Sequence, residues 1–157
     1  MVQASVSNDS PTQTVSDFIS SFSDSANLQL RLQAPLMEYF GNMEKPYADF
    51  SMGIEVSFYE EGIDDPSGKI TAKFARYFEE EKLWEVRDSV VAINDKGEIL
   101  ETELLFWDEK KELIYTEKFV RITQEDQIIR GTGLESDPRF SDWTIKNVSA
   151  ILYLDNE

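Results

Sequence analysis

The sequence predicts an all-β domain, an elongated, twisted β-jelly roll or open-ended antiparallel β-sandwich built from strand repeats of thirty residues. Three observations predict it. β-Branched and aromatic residues recur in short alternating runs divided by Gly, Asn, Asp and Pro, which is the signature of strands and turns rather than of helices. Hydrophobic residues make up 41% of the 157 positions, with ten Phe, six Tyr and three Trp, enough apolar material for one core. The chain also repeats itself: Ala72-Lys73-Phe74, Thr102-Glu103-Leu104 and Thr132-Gly133-Leu134 follow one another at intervals of thirty residues.

Residues 1–14, rich in Ser, Thr, Gln and Asn, read as a flexible N-terminal arm, and residues 15–157 as a single β domain. Strands are expected over 27–34, 54–59, 69–78, 82–86, 89–94, 99–107, 113–116, 119–123, 127–134, 143–146 and 148–154. Asn94-Asp95-Lys96-Gly97, Asp108-Glu109-Lys110-Lys111 and Gln124-Glu125-Asp126 are short enough for antiparallel hairpins. The polar stretch 60–68, with Asp64-Asp65-Pro66, reads as a surface excursion.

The repeat extends beyond its core triplets. Tyr77 falls on Trp107, Leu83 on Leu113 and Trp143, and Val90 on Val120, with Val148 in the same place after a two-residue deletion. A degenerate earlier copy runs from Ala34 through Tyr39 to Ile54 and Val56. Each copy has one apolar face that it cannot bury alone, so neighbouring copies must stack. The positions that stay apolar or small then line the interior: Ile54, Val56, Phe58, Ile70, Ala72, Phe74, Leu83, Val90, Ala92, Leu104, Leu113, Val120, Ile122, Leu134, Trp143, Val148 and Ala150. Lys73, Glu101, Glu103 and Arg121 occupy the wet face.

The chain holds no His and no Cys. The usual general base near neutral pH, thiolate chemistry and the commonest metal ligands are therefore missing, and neither a metal nor a cofactor is expected. Glu79-Glu80-Glu81 and Asp64-Asp65 fall in predicted turns, where runs of carboxylates are solvated rather than catalytic. Gly131-Thr132-Gly133 lacks the third glycine and the following helix of a phosphate-binding loop, and reads as a pair of strand glycines at a kink. The sequon Asn147-Val148-Ser149 is too short a pattern to carry weight. The chain is expected not to be an enzyme.

A formal net charge of −16 repels phosphate backbones, so no nucleic-acid partner is expected. No apolar stretch approaches the length of a membrane helix, and residues 1–13 lack the basic start and apolar run of a signal peptide. As written the chain reads as soluble, in keeping with the clipped soluble part of an anchored protein. The aromatics Phe74, Tyr77, Phe78, Trp84, Phe106, Trp107 and Tyr115 fit either ordinary core packing or the lining of an apolar ligand site.

Several segments resemble one family. They are Leu83-Trp84-Glu85-Val86-Arg87-Asp88-Ser89-Val90-Val91, Asn94-Asp95-Lys96-Gly97-Glu98, Leu100-Glu101-Thr102-Glu103-Leu104 with Trp107-Asp108, and Ile114-Tyr115-Thr116-Glu117-Lys118-Phe119-Val120. The ending Gly131-Thr132-Gly133-Leu134-Glu135-Ser136-Asp137 with Trp143-Thr144-Ile145-Lys146-Asn147-Val148-Ser149 belongs to the same set. In order and spacing they are similar to the LptC family over roughly residues 17–154, including Ala34-Pro35-Leu36 and the stretch 46–58.

The resemblance implies a twisted β-jelly roll in the periplasm, anchored to the inner membrane in the full-length protein. It implies that lipopolysaccharide is taken from the inner-membrane Lpt ABC transporter and passed to an LptA-like bridge protein through edge-to-edge β-strand pairing. On that reading the lipid groove is Ile54, Val56, Phe58, Ile70, Ala72, Phe74, Leu83, Val90, Ala92, Leu104, Leu113, Val120, Ile122, Leu134, Trp143 and Val148. The edge for the bridge protein is Val148, Ser149, Ala150, Ile151, Leu152, Tyr153 and Leu154, and residues 17–34 face the transporter. Burying acyl chain yields ~0.8 kcal/mol per methylene, whereas exposed like charges repel by about 1 kcal/mol at ~4 Å in water. The lipid chains should therefore supply the affinity despite the acidic surface. The alternative is a structural or protein-interaction domain of the cell envelope with a closed core. An open interior volume separates the two.

Overall fold

The computed structural model describes residues 10–23, 29–60 and 62–155. Eleven antiparallel strands form one continuous sheet: β1 (Gln13–Ser23), β2 (Gln29–Phe40), β3 (Tyr47–Phe50), β4 (Ile54–Tyr59), β5 (Gly68–Ala72), β6 (Phe74–Phe78), β7 (Leu83–Ile93), β8 (Ile99–Asp108), β9 (Leu113–Thr123), β10 (Gln127–Ser136) and β11 (Trp143–Tyr153). No helix occurs among the described residues.

The topology is simpler than eleven strands suggest. β2 pairs with β4 through its first half and with β3 through its second. β7 likewise pairs with β6 at its start and β5 at its end. β3 and β4 are thus two arms of one bent strand, and so are β5 and β6. With these joined, the sheet is a meander in chain order from β1 to β11.

Each strand bends near its middle, and the residues at the bends explain why. Pro35, which has no N–H to give a ladder, lies where β1 and β2 skip a pair between Ser16↔Leu36 and Phe18↔Ala34. Asp17 opposite it is left-handed, at φ 52°. Gly53, at φ 103°, turns the chain between β3 and β4. Lys73 alone separates β5 from β6, and its N–H bonds the Asp88 carbonyl at 2.9 Å. β7 bends at Asp88 and Ser89, both of positive φ, and β10 at Gly133, φ 81°. The ladders slip at the same level, between Arg87 and Val90, Thr102 and Phe106, and Thr132 and Leu134. These are bulges that turn a strand through a corner.

Lys73, Glu103 and Gly133 are thirty residues apart, as are Asp88 and Lys118. The sequence repeat is therefore one pair of bent strands with its two corners. Polar side chains replace the ladder bonds lost there. Thr102 Oγ1 donates to the Phe119 carbonyl at 2.9 Å, Thr116 Oγ1 accepts the Lys118 N–H at 3.1 Å, and a Glu103 carboxylate oxygen accepts the Ser89 N–H at 3.1 Å. Thr102 and Thr116 are buried.

Folding about the corners sets the half-strands in two facing layers. One layer contains a cross-strand row of Leu32, Val56, Ile70, Ala92, Leu100, Ile122 and Ile129. The other contains Tyr77, Trp84, Trp107 and Ile114. The rows meet in the core. On the outside of the second layer, Arg76 grips Asp49 with two bonds of 2.6 and 2.9 Å, tying β3 to β6.

The expected jelly-roll-like sandwich is present, with differences in the strands. β1 and β3 were absent from the expected set, because β1 is polar and its two Phe are separated from Val15 by the bend at Asp17. The stretches 82–86 and 89–94, 113–116 and 119–123, and 143–146 and 148–154 are single strands, since the polar residues between them sit at corners and not in loops. The stretch 69–78 divides at Lys73. β1 begins at Gln13, inside the expected arm, while residues 1–9 and 27–28 lie outside the described residues.

Gly131 provides a test of the corner packing. A Cβ there would stand 2.5 Å from both the Asn147 carbonyl oxygen and Ile145 Cγ2. Gly131→Ala should lower stability by about 1–3 kcal/mol through overpacking, read as a lower denaturant midpoint at unchanged slope.

Candidate functional site

All corners lie along one side of the sandwich, so the hairpin tips of both layers lie along the other and form a seam. Among the described residues, tips of one layer are 59–60 with 62–68, 93–99 and 123–127; tips of the other are 40–47, 78–83, 108–113 and 136–143. What the seam encloses changes along its length.

At the β1 end the layers part around an open cavity of about 420 Å³, lined by Phe18, Phe22, Leu32, Met37, Ala48, Phe50, Tyr77 and Trp84, with Gln13, Ser20, Tyr39 and Glu79 at its rim. The size and the apolar lining with a few polar groups suit a small apolar ligand or part of a larger one. Aromatic contacts brace the walls. Phe18 meets Phe50 edge-on at 5.6 Å, Phe50 and Trp84 are 5.8 Å apart, and Tyr77 and Trp84 are 4.6 Å apart.

The polar tips of these walls are satisfied. Trp84 Nε1 donates to Glu109 at 3.1 Å, Tyr77 OH to Glu109 at 3.4 Å, and Tyr39 OH to Glu79 at 2.5 Å. Burial, then the Glu109 carboxylate, pushes the Tyr77 phenol up to about 12. It therefore stays neutral across physiological pH.

Further along, Phe22, Leu32 and Trp84 also border a space of only about 20 Å³ under Ile54, Val56, Phe58, Ile70 and Trp107. This is room for little more than one water. Beyond it Leu100, Val120, Ile122 and Leu134 are wholly buried. There the seam is shut. Asn94 Nδ2 donates to the Phe140 carbonyl at 2.7 Å and to Glu98 at 2.8 Å, Trp143 Nε1 donates to Glu98 at 3.2 Å, and Lys96 Nζ reaches the Ser141 carbonyl at 3.1 Å. Each of these bonds except Asn94–Glu98 crosses from one layer to the other. Burial opposes ionisation of Glu98, but donors from Gln124, Asn94 and Trp143, and the Lys96 charge, outweigh it and hold the carboxyl below its ordinary value.

Of the positions expected to line the interior, Ile54, Phe58, Ile70, Ala72, Val90, Ala92, Val120, Ile122 and Leu134 are buried between the layers, and Val56 packs against them. Trp143 is half-buried over Phe140. Phe74, Leu83, Leu104 and Leu113 are only partly buried and stand on the opposite face from their neighbours Ala75, Trp84, Leu105 and Ile114, which are buried. Val148 is 54% exposed, and Ala150 is half-buried. The corners explain two of these differences. Ala72 and Ala75, and Thr102 and Leu105, are both inward at an odd separation, so strict alternation carried through the bend picks the wrong face for Phe74 and Leu104. At Leu83-Trp84 and Leu113-Ile114 two apolar residues are adjacent, and the cross-strand row Tyr77–Trp84–Trp107–Ile114 decides which one enters.

The position of the open cavity went unforeseen. Phe18 and Phe22 lie on a strand the pattern did not reveal, and Met37 and Phe50 carried no repeat signal, whereas Tyr77 and Trp84 are among the aromatics that fitted either core or the lining of an apolar ligand site.

The ends of the sheet carry the two edges. Among the described residues β11 pairs with β10 alone and β1 with β2 alone. Val148, Ser149, Ala150, Ile151, Leu152 and Tyr153 belong to β11; Leu154 follows it, its N–H bonded to the Asp126 carbonyl at 2.9 Å. Val148, Ile151, Leu152, Tyr153 and Leu154 are exposed. Consecutive residues point to opposite faces, so this edge is apolar on both. The acidic runs hold structural or exposed posts: Glu79 accepts Tyr39, Glu81 pairs with Lys45 at the surface, and Asp64 and Asp65 are exposed. Gly131 and Gly133 sit inside β10 at its bend.

The family model described as "LptC: Lipopolysaccharide-assembly, LptC-related" matches residues 2–153. No curated protein matches the chain.

The Glu98 cluster predicts a pH dependence. A carboxyl lowered in the folded state contributes stability that is present above its unfolded value, near 4.5, and is lost as pH falls through the lower folded value. Thermal unfolding from pH 7 to 2 should therefore show a steeper acid loss for the native chain than for Glu98→Gln. Parallel curves would contradict the assignment.

Proposed function

The chain belongs to the LptC-related lipopolysaccharide-assembly family, and from that membership we propose that it receives lipopolysaccharide acyl chains in the cavity at the β1 end and passes the lipid on toward β11. The family is a non-catalytic periplasmic component of the Lpt system, with a role in lipopolysaccharide transport. No helix among the described residues is long and apolar enough to cross a membrane.

The observation that carries the proposal is the 420 Å³ apolar cavity beside an edge strand. Its walls are aromatic and aliphatic, which suits acyl chains, with the carboxylate of Glu79 at the rim. The surrounding acidic surface favours leaving sugar and phosphate toward solvent. In this reading lipid enters from the inner-membrane transporter at the β1 end. β11, with unpaired backbone groups and apolar side chains on both faces, accepts a strand from the bridge protein by β-augmentation. Gln13 and Thr14 of the expected arm open β1, and in this reading the 15–157 body acts as one unit. The predicted groove residues then divide into two sets. Ile54, Val56, Phe58 and Ile70 line the constriction of about 20 Å³ behind the cavity, while Val90, Val120, Ile122 and Leu134 form the closed interior beyond it.

Two measurements test this. A photocrosslinking residue at Phe22 or Trp84 should give a lipopolysaccharide adduct during transport, and one at exposed Lys111 should not; the reverse pattern would overturn the cavity assignment. Ile151→Lys with Tyr153→Lys should weaken co-purification of the bridge protein by about tenfold, ~1.4 kcal/mol, with the Phe22 adduct unchanged.

A further inference from the structure

The closed end of the interior is shut by a built device. The turn 137–142 between β10 and β11 carries Phe140 into the core, where it is 3% exposed, at a left-handed φ of 56°. Bulky residues adopt that conformation only when their surroundings impose it. Here Asp137 imposes it. Its carboxylate accepts the N–H groups of Ser141 and Asp142 at 2.8 Å each and the Ser141 hydroxyl at 2.6 Å, while its carbonyl accepts the Phe140 N–H at 3.0 Å. The turn is thus braced by its own residues, independently of the opposite layer. It is fastened to that layer by polar bonds, from the turn through Asn94 and Lys96 and from neighbouring Trp143 to Glu98, and by the burial of Phe140 in the core.

A self-braced turn held by a few polar contacts and one buried side chain can lift as a unit without losing its shape. Phe140, stacked on Trp143 at 6.3 Å, would leave with it and vacate apolar space in the core cluster that also holds Leu134 and Val120. We propose that this turn is a plug: Phe140 occupies the β11 end of the groove in place of a lipid acyl chain, and the Asn94–Lys96–Glu98 contacts latch it until cargo displaces it. The inference rests on the reading of the groove as an acyl-chain site and adds where that groove is gated. Trp143, the first residue of β11, is one of the latch donors, so the latch adjoins the strand offered to the bridge protein.

A photoreactive palmitate, with adducts mapped by mass spectrometry, tests the plug without lipopolysaccharide. In the native chain adducts should concentrate at Phe18, Phe22 and Trp84. Phe140→Ala should raise adducts at Val120 and Leu134 several-fold while leaving those at Phe22 unchanged. Because the chain has no cysteine, a short bis-maleimide across Lys96→Cys and Ser141→Cys can pin the turn shut. Pinning should reduce the minor Val120 and Leu134 adducts of the untethered double variant by about tenfold, by removing the open population. This arm decides the matter if Phe140→Ala does not fold. Val120 and Leu134 adducts that are equal with and without the tether would overturn the plug. A palmitate map as expected, with no lipopolysaccharide adduct at Phe22, would instead remove the proposed cargo and leave the plug standing.

Discussion

The structure depends on the bend that every strand makes near its middle. A flat antiparallel meander of this length would have two open faces and no core. Bent at one level, it folds onto itself, and each strand contributes half its length to each of two facing layers. The cost is local, because a bent strand breaks its ladder and strands backbone N–H and C=O groups near the core. Thr102 and Thr116, the Glu103 carboxylate and the Lys73–Asp88 bond answer that cost. Gly133 and Gly53 take the left-handed conformations that side chains resist. The repeat of thirty is the sequence trace of this single requirement, renewed once per pair of strands.

Putting all bends on one side forces all hairpin tips to the other, and this separates the work of the two sides. The bent side has continuous backbone. The tip side has only what side chains can reach across it, so it can be open at one end and fastened at the other. At the β1 end, aromatic walls with satisfied polar tips leave an open apolar cavity. At the β11 end, Asn94, Glu98, Trp143 and the Asp137-braced turn close the same seam. The closed end is polar in its fastening and apolar in its filling.

The two edges differ in the same sense. β1 has no fully buried residue and is rich in Ser, whereas β11 exposes Ile151, Leu152 and Tyr153. An exposed apolar edge is a liability in a chain meant to stand alone. In a member of a lipopolysaccharide-assembly family it is what a partner strand would need.

The sequence by itself determined the all-β class, the thirty-residue unit, most hairpin tips and the burial of nine core residues. Each depends on local pattern: alternation, turn residues and a repeat. It did not determine which face Phe74, Leu83, Leu104 and Leu113 occupy. Alternation is interrupted at corners, and between two adjacent apolar residues only cross-strand partners choose. It did not reveal β1, whose polar residues become a strand by pairing with β2, nor the cavity that Phe18 and Phe22 wall. Phe140 is the clearest case. In sequence it stands in a polar turn between two strands. It becomes core because folding at the corners brings the tips of opposite layers together, a contact between Asn94 and Phe140 that no local pattern encodes.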